Sequence, residues 1–497
     1  MGLSWRNLIV IVGLSFGLGA VAASHKTILA KLGQATTAFS STEGNPNYSE
    51  GNGAESQSST IAFSARSLES SQSMFSPEHT MPQRGDVRII VISDLNGPYG
   101  STTYGQEVLN SIRTIPEWEP DLVLSAGDMV AGKLISLTQE DLQAMWQRFD
   151  QQVFQPIRRA EIPFAFALGQ RDASAMVQPE NRPKSQSPLG DLFSHIPAGS
   201  YIFSQERAAA QTYWTSGDRD LGIDLSPTQF SVQSEGNQSE GNQSEGNQSE
   251  GNQSSFNQSS INSAPDAQFV TANFPFRYSF VHKDIFFLMW EASTAELDAT
   301  ALEWAEQELS SPAAQQAKMR ISMGHFPLYA ISQGRDRPTE FLRQGDTIRD
   351  LLETYDVHTH IAGHHHSYYP GRVGELELLY GGALGSSPRS LLGNDEPASR
   401  TLTVMDIFFD ASQAPDVWAI EEDENDEPLA SNRQRSGVEA LEGIATVYTT
   451  YNMTTMEVIE PTSLPRVVAG PTGLVLRQDT ERRDLTYRDN RRYVRSW

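Results

Sequence analysis

The chain has 497 residues, of which 62 are acidic and 37 basic, so its formal net charge at pH 7 is −25. A charge of this sign argues against nucleic acid or an anionic membrane surface as the main partner, because both are polyanions. The chain contains no cysteine, which excludes disulfides, thiolate metal sites, iron–sulfur clusters and a cysteine nucleophile.

The first 23 residues have the layout of an export signal. They carry one cation, Arg6, before an apolar run that ends in small residues up to Ala23. A charged start, an apolar stretch and a small-residue end are typical of a secretory signal peptide. The run is short for a membrane span, which needs about 20 apolar residues, and an uncleaved N-terminal anchor is the alternative. We therefore expect export to a periplasmic or extracellular location, with or without anchoring in the membrane.

Three further segments are too polar to form a core. Residues 24–85 are rich in Ser, Gln, Asn and Gly and predict a polar, largely disordered linker. Residues 233–252 repeat Gln-Ser-Glu-Gly-Asn four times, and the polar composition continues, which predicts a low-complexity insertion over 233–263. Residues 413–497 form an extension that is first acidic and then arginine-rich, with a short helix predicted over 438–447. The catalytic domain is therefore predicted over 86–412.

Within that domain, polar residues follow the ends of buried strands. Apolar runs over 86–93, 121–125, 162–168 and 356–362 are followed by Asp94, Asp128, the 169–172 turn and His364. Stretches with helical spacing separate the early strands, which predicts an α/β sheet. In such sheets the ligand-binding residues lie beyond the carboxyl ends of the strands.

Histidine points to a metal site at the same place. Six of the ten histidines lie between His325 and His366, and three of them are consecutive. Imidazoles and carboxylates at neighbouring strand ends suit a site for hard to borderline divalent metals. His365 lies between two candidate ligands and is expected to face solvent.

Five short motifs occur in order along the chain: Asp94-Leu95-Asn96, Gly127-Asp128, Gly169-Gln170-Arg171-Asp172, Gly324-His325 and Gly363-His364-His365-His366. They resemble the motifs of the calcineurin-like metallophosphoesterases, which carry D-x-H, G-D, G-N-H-[D/E], G-H and G-H-x-H in the same order. The resemblance implies a four-layer α/β/β/α sandwich, here with polar tails and a low-complexity insertion. It also implies two divalent metal ions, drawn from Mn²⁺, Fe²⁺/Fe³⁺, Zn²⁺ and Mg²⁺, with a bridging hydroxide as the nucleophile.

Position by position, the resemblance implies a role for each motif residue. One ion would be bound by Asp94, Asn96 and His366. The other would be bound by Gln170, His325 and His364, with Asp128 bridging the two. Arg171 and Asp172 would be the catalytic pair beside the leaving group.

Three of these residues depart from the family pattern: Asn96 replaces a histidine, Gln170 an asparagine and Arg171 a histidine. Arginine cannot donate a proton at neutral pH, but its guanidinium can bind a phosphate through two hydrogen bonds. Two hypotheses follow. The first is an exported, metal-dependent hydrolase of small-molecule phosphate esters, which favours activated leaving groups. The alternative is a degenerate, non-catalytic member that binds metal and phosphate or a partner protein.

Overall fold

The structure is a computed structural model that describes residues 81–179, 196–216, 219–225, 273–297, 299–415, 443–465, 467–471 and 475–478. The predicted signal, most of the linker, the repeat insertion, the acidic run and most of the arginine-rich end lie outside the described residues. Apart from residues 179, 196 and 197, the described residues belong to one compact unit, 74–178 with 198–497. Among the described residues, no helix combines the length and apolarity that a membrane crossing requires.

The described strands form two mixed sheets. The first has the order β12-β11-β10-β1-β2-β3 and the second the order β13-β14-β8-β9-β7-β6-β5-β4. The strands are β1 (Val87–Ile92), β2 (Leu122–Ser125), β3 (Phe164–Phe166), β4 (Tyr278–His282), β5 (Ile285–Met289), β6 (Met319–Met323), β7 (Thr359–Ala362), β8 (Tyr368–Val373), β9 (Leu376–Gly381), β10 (Thr401–Phe408), β11 (Ala445–Asn452), β12 (Glu457–Val458), β13 (Val467–Ala469) and β14 (Val475–Gln478).

Helices connect the parallel strands. They are α1 (Gln106–Thr114), α2 (Gln139–Phe149), α3 (Gln155–Arg159), α4 (Gln170–Ala173), α5 (Ser204–Thr215), α6 (Ala299–Leu309), α7 (Pro312–Gln316) and α8 (Gly345–Thr354). The start of α2 shows why these segments are helical. The Thr138 side chain accepts a hydrogen bond from Asp141 N, and the Asp141 carboxylate accepts one from Thr138 N. This capping box satisfies two amides that the helix itself leaves free.

Strands β1, β5 and β6 are buried along their whole length. The mainly apolar sequences of β1 and β5 predict this burial, whereas β6 carries the buried polar residues Arg320 and Ser322. One apolar cluster includes Ile90 of the first sheet and Phe287 of the second, and another includes Leu288 and Trp304 of α6. Tyr278 joins the two sheets, because Phe166 N donates to its hydroxyl and the hydroxyl donates to Phe166 O. The predicted α/β/β/α sandwich is therefore confirmed.

The sheets continue beyond residue 412. Strand β11 pairs antiparallel with β10 along its whole length, and β14 pairs with β8. The helix predicted over 438–447 is wrong over 445–447, where β11 begins. The β-branched and aromatic residues of β11 favour a strand. This strand hydrogen-bonds to the edge of β10.

Candidate metal centre

Sharp turns after three strands direct four of the motif residues to one place. Asp94 follows β1, Asp128 follows β2, and His364 and His366 follow β7, and all four have left-handed backbones with φ between 52° and 63°. This conformation is uncommon outside glycine, and it is typical of residues that are held for a function. Asp94 N donates to Gly127 O at 2.9 Å, which ties the first two turns together.

Four side-chain atoms at these turns are buried and lack a hydrogen-bond partner: Asp94 Oδ1, Asp128 Oδ2, His325 Nε2 and His366 Nε2. His366 Nε2 lies 3.2 Å from Asp94 Oδ1, and His325 Nε2 lies 3.3 Å from Asp128 Oδ1. Asp94, Asp128 and His325 each offer one ligand atom within 4.8 Å of the others. Buried polar atoms without partners are costly, and a cation bound by Asp94, Asp128 and His325, with His366 Nε2 beside Asp94, would reduce that cost.

Both imidazole rings are oriented for a metal. His325 Nδ1 lies 2.8 Å from Ala126 O, and His366 Nδ1 lies 2.8 Å from Ser387 O. A carbonyl oxygen only accepts, so Nδ1 carries the hydrogen and Nε2 keeps its lone pair when the ring is neutral. Metal-binding histidines usually have such a backbone partner on the other nitrogen. The residues present therefore fit one divalent ion.

The charges at this position are strongly coupled. Burial alone would raise the pKa of Asp94 and of Asp128, but His366 beside the first and His325 beside the second hold both below the usual range. Burial alone would lower the pKa of His325, but the Asp128 carboxylate outweighs it and raises the pKa to about 9. A proton on His325 thus balances the carboxylates, and a metal ion would displace it.

Two of the three residues that the resemblance implies for the second ion, Gln170 and His364, are engaged by other side chains, whereas the third, His325, keeps a free Nε2. Gln170 Oε1 accepts a hydrogen bond from Lys133 Nζ. Gln170 Nε2 lies 3.1 Å from His364 Nδ1, and His364 Nε2 lies 3.1 Å from Glu340 Oε2. Arg335 Nη1 lies 2.8 Å from His364 Nε2. Gln170 and His364 therefore do not fit a second ion.

Asn96, which the resemblance implies as a ligand of the first ion, is buried beside the Asp94 turn. Its Oδ1 accepts a hydrogen bond from Ser386 Oγ at 2.9 Å, and its Nδ2 donates to Gly97 O. Both amide atoms therefore have protein partners, and Asn96 lies outside the set of four unpartnered atoms.

Arg171 and Asp172, the two residues predicted to be catalytic, make different contacts and have different roles. Arg171 N donates to Asp128 Oδ1 at 2.8 Å, Arg171 Nε lies 3.4 Å from Asp128 Oδ2, and the guanidinium lies over the Tyr99 ring at 4.2 Å. The two Asp172 oxygens accept from Val130 N and Gly169 N. Burial and the nearby Asp128 raise the pKa of Asp172 to about 8. Asp172 thus positions the backbone of the turn that carries Arg171.

The prediction that His365 faces solvent is wrong, because the side chain is fully buried. Ile331 N donates to its Nδ1 at 3.2 Å, so Nε2 carries the hydrogen and donates to Glu340 O at 3.0 Å. The ring therefore fixes the long loop after β6 against the turn after β7. This loop supplies Arg335 and Glu340, which the sequence motifs do not identify.

The sequence over residues 87–368 matches the family model of the calcineurin-like phosphoesterases. The chain belongs to this family. Solved structures with a similar fold include a purple acid phosphatase from yellow lupin seeds (12% identity, TM-score 0.40), which covers 75% of this chain and is itself covered over 52% of its length. They also include a dimetal phosphatase from Danio rerio (10% identity, TM-score 0.35). The match covers 66% of this chain and 94% of that one. A third is GAP50, the anchor in the inner membrane complex of Plasmodium (13% identity, TM-score 0.39). The match covers 75% of this chain and 87% of that one.

The match to the lupin phosphatase spans about half of that protein's length. At these identities and TM-scores, the likeness carries no activity over to this chain. No curated protein matches the sequence. The family assignment therefore rests on the sequence match over 87–368 and agrees with the motif order.

Proposed function

We propose that this phosphoesterase is an exported, metal-dependent hydrolase of small-molecule phosphate esters. The observation that carries the proposal is the set of four buried, unpartnered atoms of Asp94, Asp128, His325 and His366. Membership of the phosphoesterase family supports the reaction class, and the layout of residues 1–23 supports export. The resemblance implies two ions, whereas we propose one, because Gln170 and His364, two of the three residues implied for the second ion, are engaged by other side chains.

A divalent ion bound at these four residues would polarise a phosphoryl oxygen and lower the pKa of a water molecule. The protein's own contribution begins with Arg171. Its backbone N and its Nε both face the Asp128 carboxylate, and its guanidinium lies over Tyr99. A guanidinium held in this way can donate two hydrogen bonds to phosphoryl oxygens and orient the ester.

Proton supply limits the range of substrates. Arg171 stands where the family has a histidine, and its guanidinium keeps its protons at neutral pH. An ester whose leaving oxygen must be protonated therefore gains no help from this side chain. We expect the enzyme to favour esters with acidic leaving groups, which depart without a proton.

The direct test is hydrolysis of 4-nitrophenyl phosphate and bis(4-nitrophenyl) phosphate by the full chain, with and without Mn²⁺. We expect activity that requires Mn²⁺ and that is lost in Asp128→Asn. Asp284→Asn is the matched control, because Asp284 is an exposed carboxylate paired with Lys318. Activity that is independent of metal, or unchanged in Asp128→Asn, would contradict the proposal.

A non-catalytic member that binds phosphate is the second candidate. Burial lowers the pKa of Lys133, and the nearby Arg171 and Arg335 lower it further. Such a group of basic side chains suits an anion whether or not it reacts. This candidate predicts that the metal-loaded protein binds inorganic phosphate in calorimetry but hydrolyses neither ester. Turnover of either ester would refute it.

A further inference from the structure

Two basic side chains lie at the position that the family resemblance implies for a second metal ion. We propose that Lys133 and Arg335 replace that ion. The protein would then bind one divalent ion per chain and hold the phosphoryl group of its ligand between this ion and the two side chains. The second part rests on the proposed function, since it takes a phosphate ester as the ligand.

The first argument is the orientation of Gln170. An amide side chain binds a metal through its oxygen, because its nitrogen carries two hydrogens and no free lone pair. The Gln170 oxygen accepts from Lys133 Nζ, and its nitrogen points at His364 Nδ1, 3.1 Å away. The Gln170 oxygen, the one atom of this side chain that could bind an ion, is therefore already hydrogen-bonded to Lys133.

The second argument is that both nitrogens of His364 are in use. Gln170 Nε2 lies 3.1 Å from His364 Nδ1, and His364 Nε2 lies 2.8 Å from Arg335 Nη1 and 3.1 Å from Glu340 Oε2. Arg335 Nη1 donates to the same carboxylate oxygen at 3.1 Å. The ring also stacks on Phe326, with 3.8 Å between centroids. In either tautomer the ring nitrogen that keeps its lone pair faces a donor, Gln170 Nε2 or Arg335 Nη1, so His364 offers no free lone pair to an ion.

Contacts of the backbone around Lys133 also fix this loop beside Gln170 and Arg171. Lys133 has a left-handed backbone with φ 66°, which is strained for a lysine. The Glu206 carboxylate at the start of α5 fixes the loop, because Oε1 accepts from Lys133 N at 2.8 Å and from Leu134 N at 3.1 Å. A Cβ at Gly132 would lie 2.3 Å from Arg171 O, so the loop packs directly against the Arg171 turn.

Charge and chemistry agree with the replacement. Lys133 and Arg335 together bring two positive charges, of which the Glu340 carboxylate offsets one. Lysine and arginine both bind phosphate oxygens, the first as a point charge and the second through paired hydrogen bonds. Both side chains are fixed from the protein side, Lys133 by Gln170 and Arg335 by Glu340.

The test is to count metal ions. Full-length protein is saturated with Mn²⁺ and desalted, and its manganese is measured by mass spectrometry and by electron paramagnetic resonance. We expect one Mn²⁺ per chain with the six-line spectrum of an isolated ion. Two ions per chain with the spectrum of an exchange-coupled pair would overturn the inference.

Binding of inorganic phosphate to the Mn²⁺ form, measured by calorimetry, tests the second part. We expect Lys133→Ala and Arg335→Ala each to weaken it about tenfold or more, as for the loss of a hydrogen bond to a charged group. Lys318→Ala and Arg343→Ala are the matched controls, since both side chains are half-exposed and form surface ion pairs. Unchanged phosphate affinity in both site variants would refute this part.

These results separate the inference from the proposed function. One ion per chain, with phosphate binding that depends on Lys133 and Arg335 but no ester hydrolysis, would support the inference and refute the hydrolase. Ester hydrolysis by protein with two coupled ions would support the hydrolase and refute the inference.

Discussion

Replacing Asp128 by asparagine should weaken divalent-ion binding by at least about 100-fold. The amide oxygen can still accept from Arg171 N, which lies 2.8 Å from Asp128 Oδ1, so the local backbone should persist. The variant loses the negative charge and the lone pairs of Oδ2, one of the four unpartnered atoms. Changing a residue that merely supports a metal ligand costs about 10- to 100-fold in affinity, and a direct carboxylate ligand should cost more. A 100-fold loss corresponds to about 2.8 kcal/mol.

Thermal unfolding in the presence of Mn²⁺ measures this loss without relying on activity. At a metal concentration of about 100 times the dissociation constant, a native-state ligand stabilises a protein by about 2.7 kcal/mol. For a domain larger than about 250 residues, that raises the Tm by roughly 4 °C. At the same concentration the Asp128→Asn protein should gain about 1 °C or less. Asp284→Asn, an exposed change, should keep the full rise. An equal rise in Asp128→Asn would refute the site assignment.

Three further predictions test other parts of the structure. Arg171→His should restore a titratable acid and raise the rate on phenyl phosphate relative to 4-nitrophenyl phosphate by about tenfold or more; an unchanged ratio in the folded variant would count against the missing-acid argument. Burial raises the pKa of Glu206 from 4.5 to about 7. Between these values the folded protein keeps a proton that the unfolded chain has released, so the free energy of unfolding should fall as pH rises, by up to about 3 kcal/mol. Urea unfolding at pH 5 and 7.5 should show a smaller fall in Glu206→Gln, and an equal fall would contradict this cause. A chain that ends at residue 412 loses β11 with its buried Tyr451 and should lose at least about 3 kcal/mol; an unchanged Tm would show that β11 contributes little.

The strands and their terminal carboxylates could be predicted because their signal is local. Buried parallel strands are continuous apolar runs, so Asp94 and Asp128 stand out where such runs stop. The motif order then identifies His325 and His366, since each follows a strand of the second sheet. This reasoning needs no knowledge of how the loops run.

What the sequence does not reveal depends on contacts between distant segments. Lys133 meets Gln170 across 37 residues, and Arg335 meets His364 across 29. No local pattern marks either cation, because each comes from a loop whose path is set by tertiary contacts such as Lys133 N with Glu206. Strand β11 could not be predicted for the same reason, because its partner β10 is separated from it by the acidic run in the sequence.

Anomalous scattering from crystals of the Mn²⁺-loaded protein locates the bound ion directly. We predict one manganese peak per chain, among Asp94 Oδ1, Asp128 Oδ2, His325 Nε2 and His366 Nε2. The absence of a peak there, or a peak bound by Gln170 and His364, would contradict it.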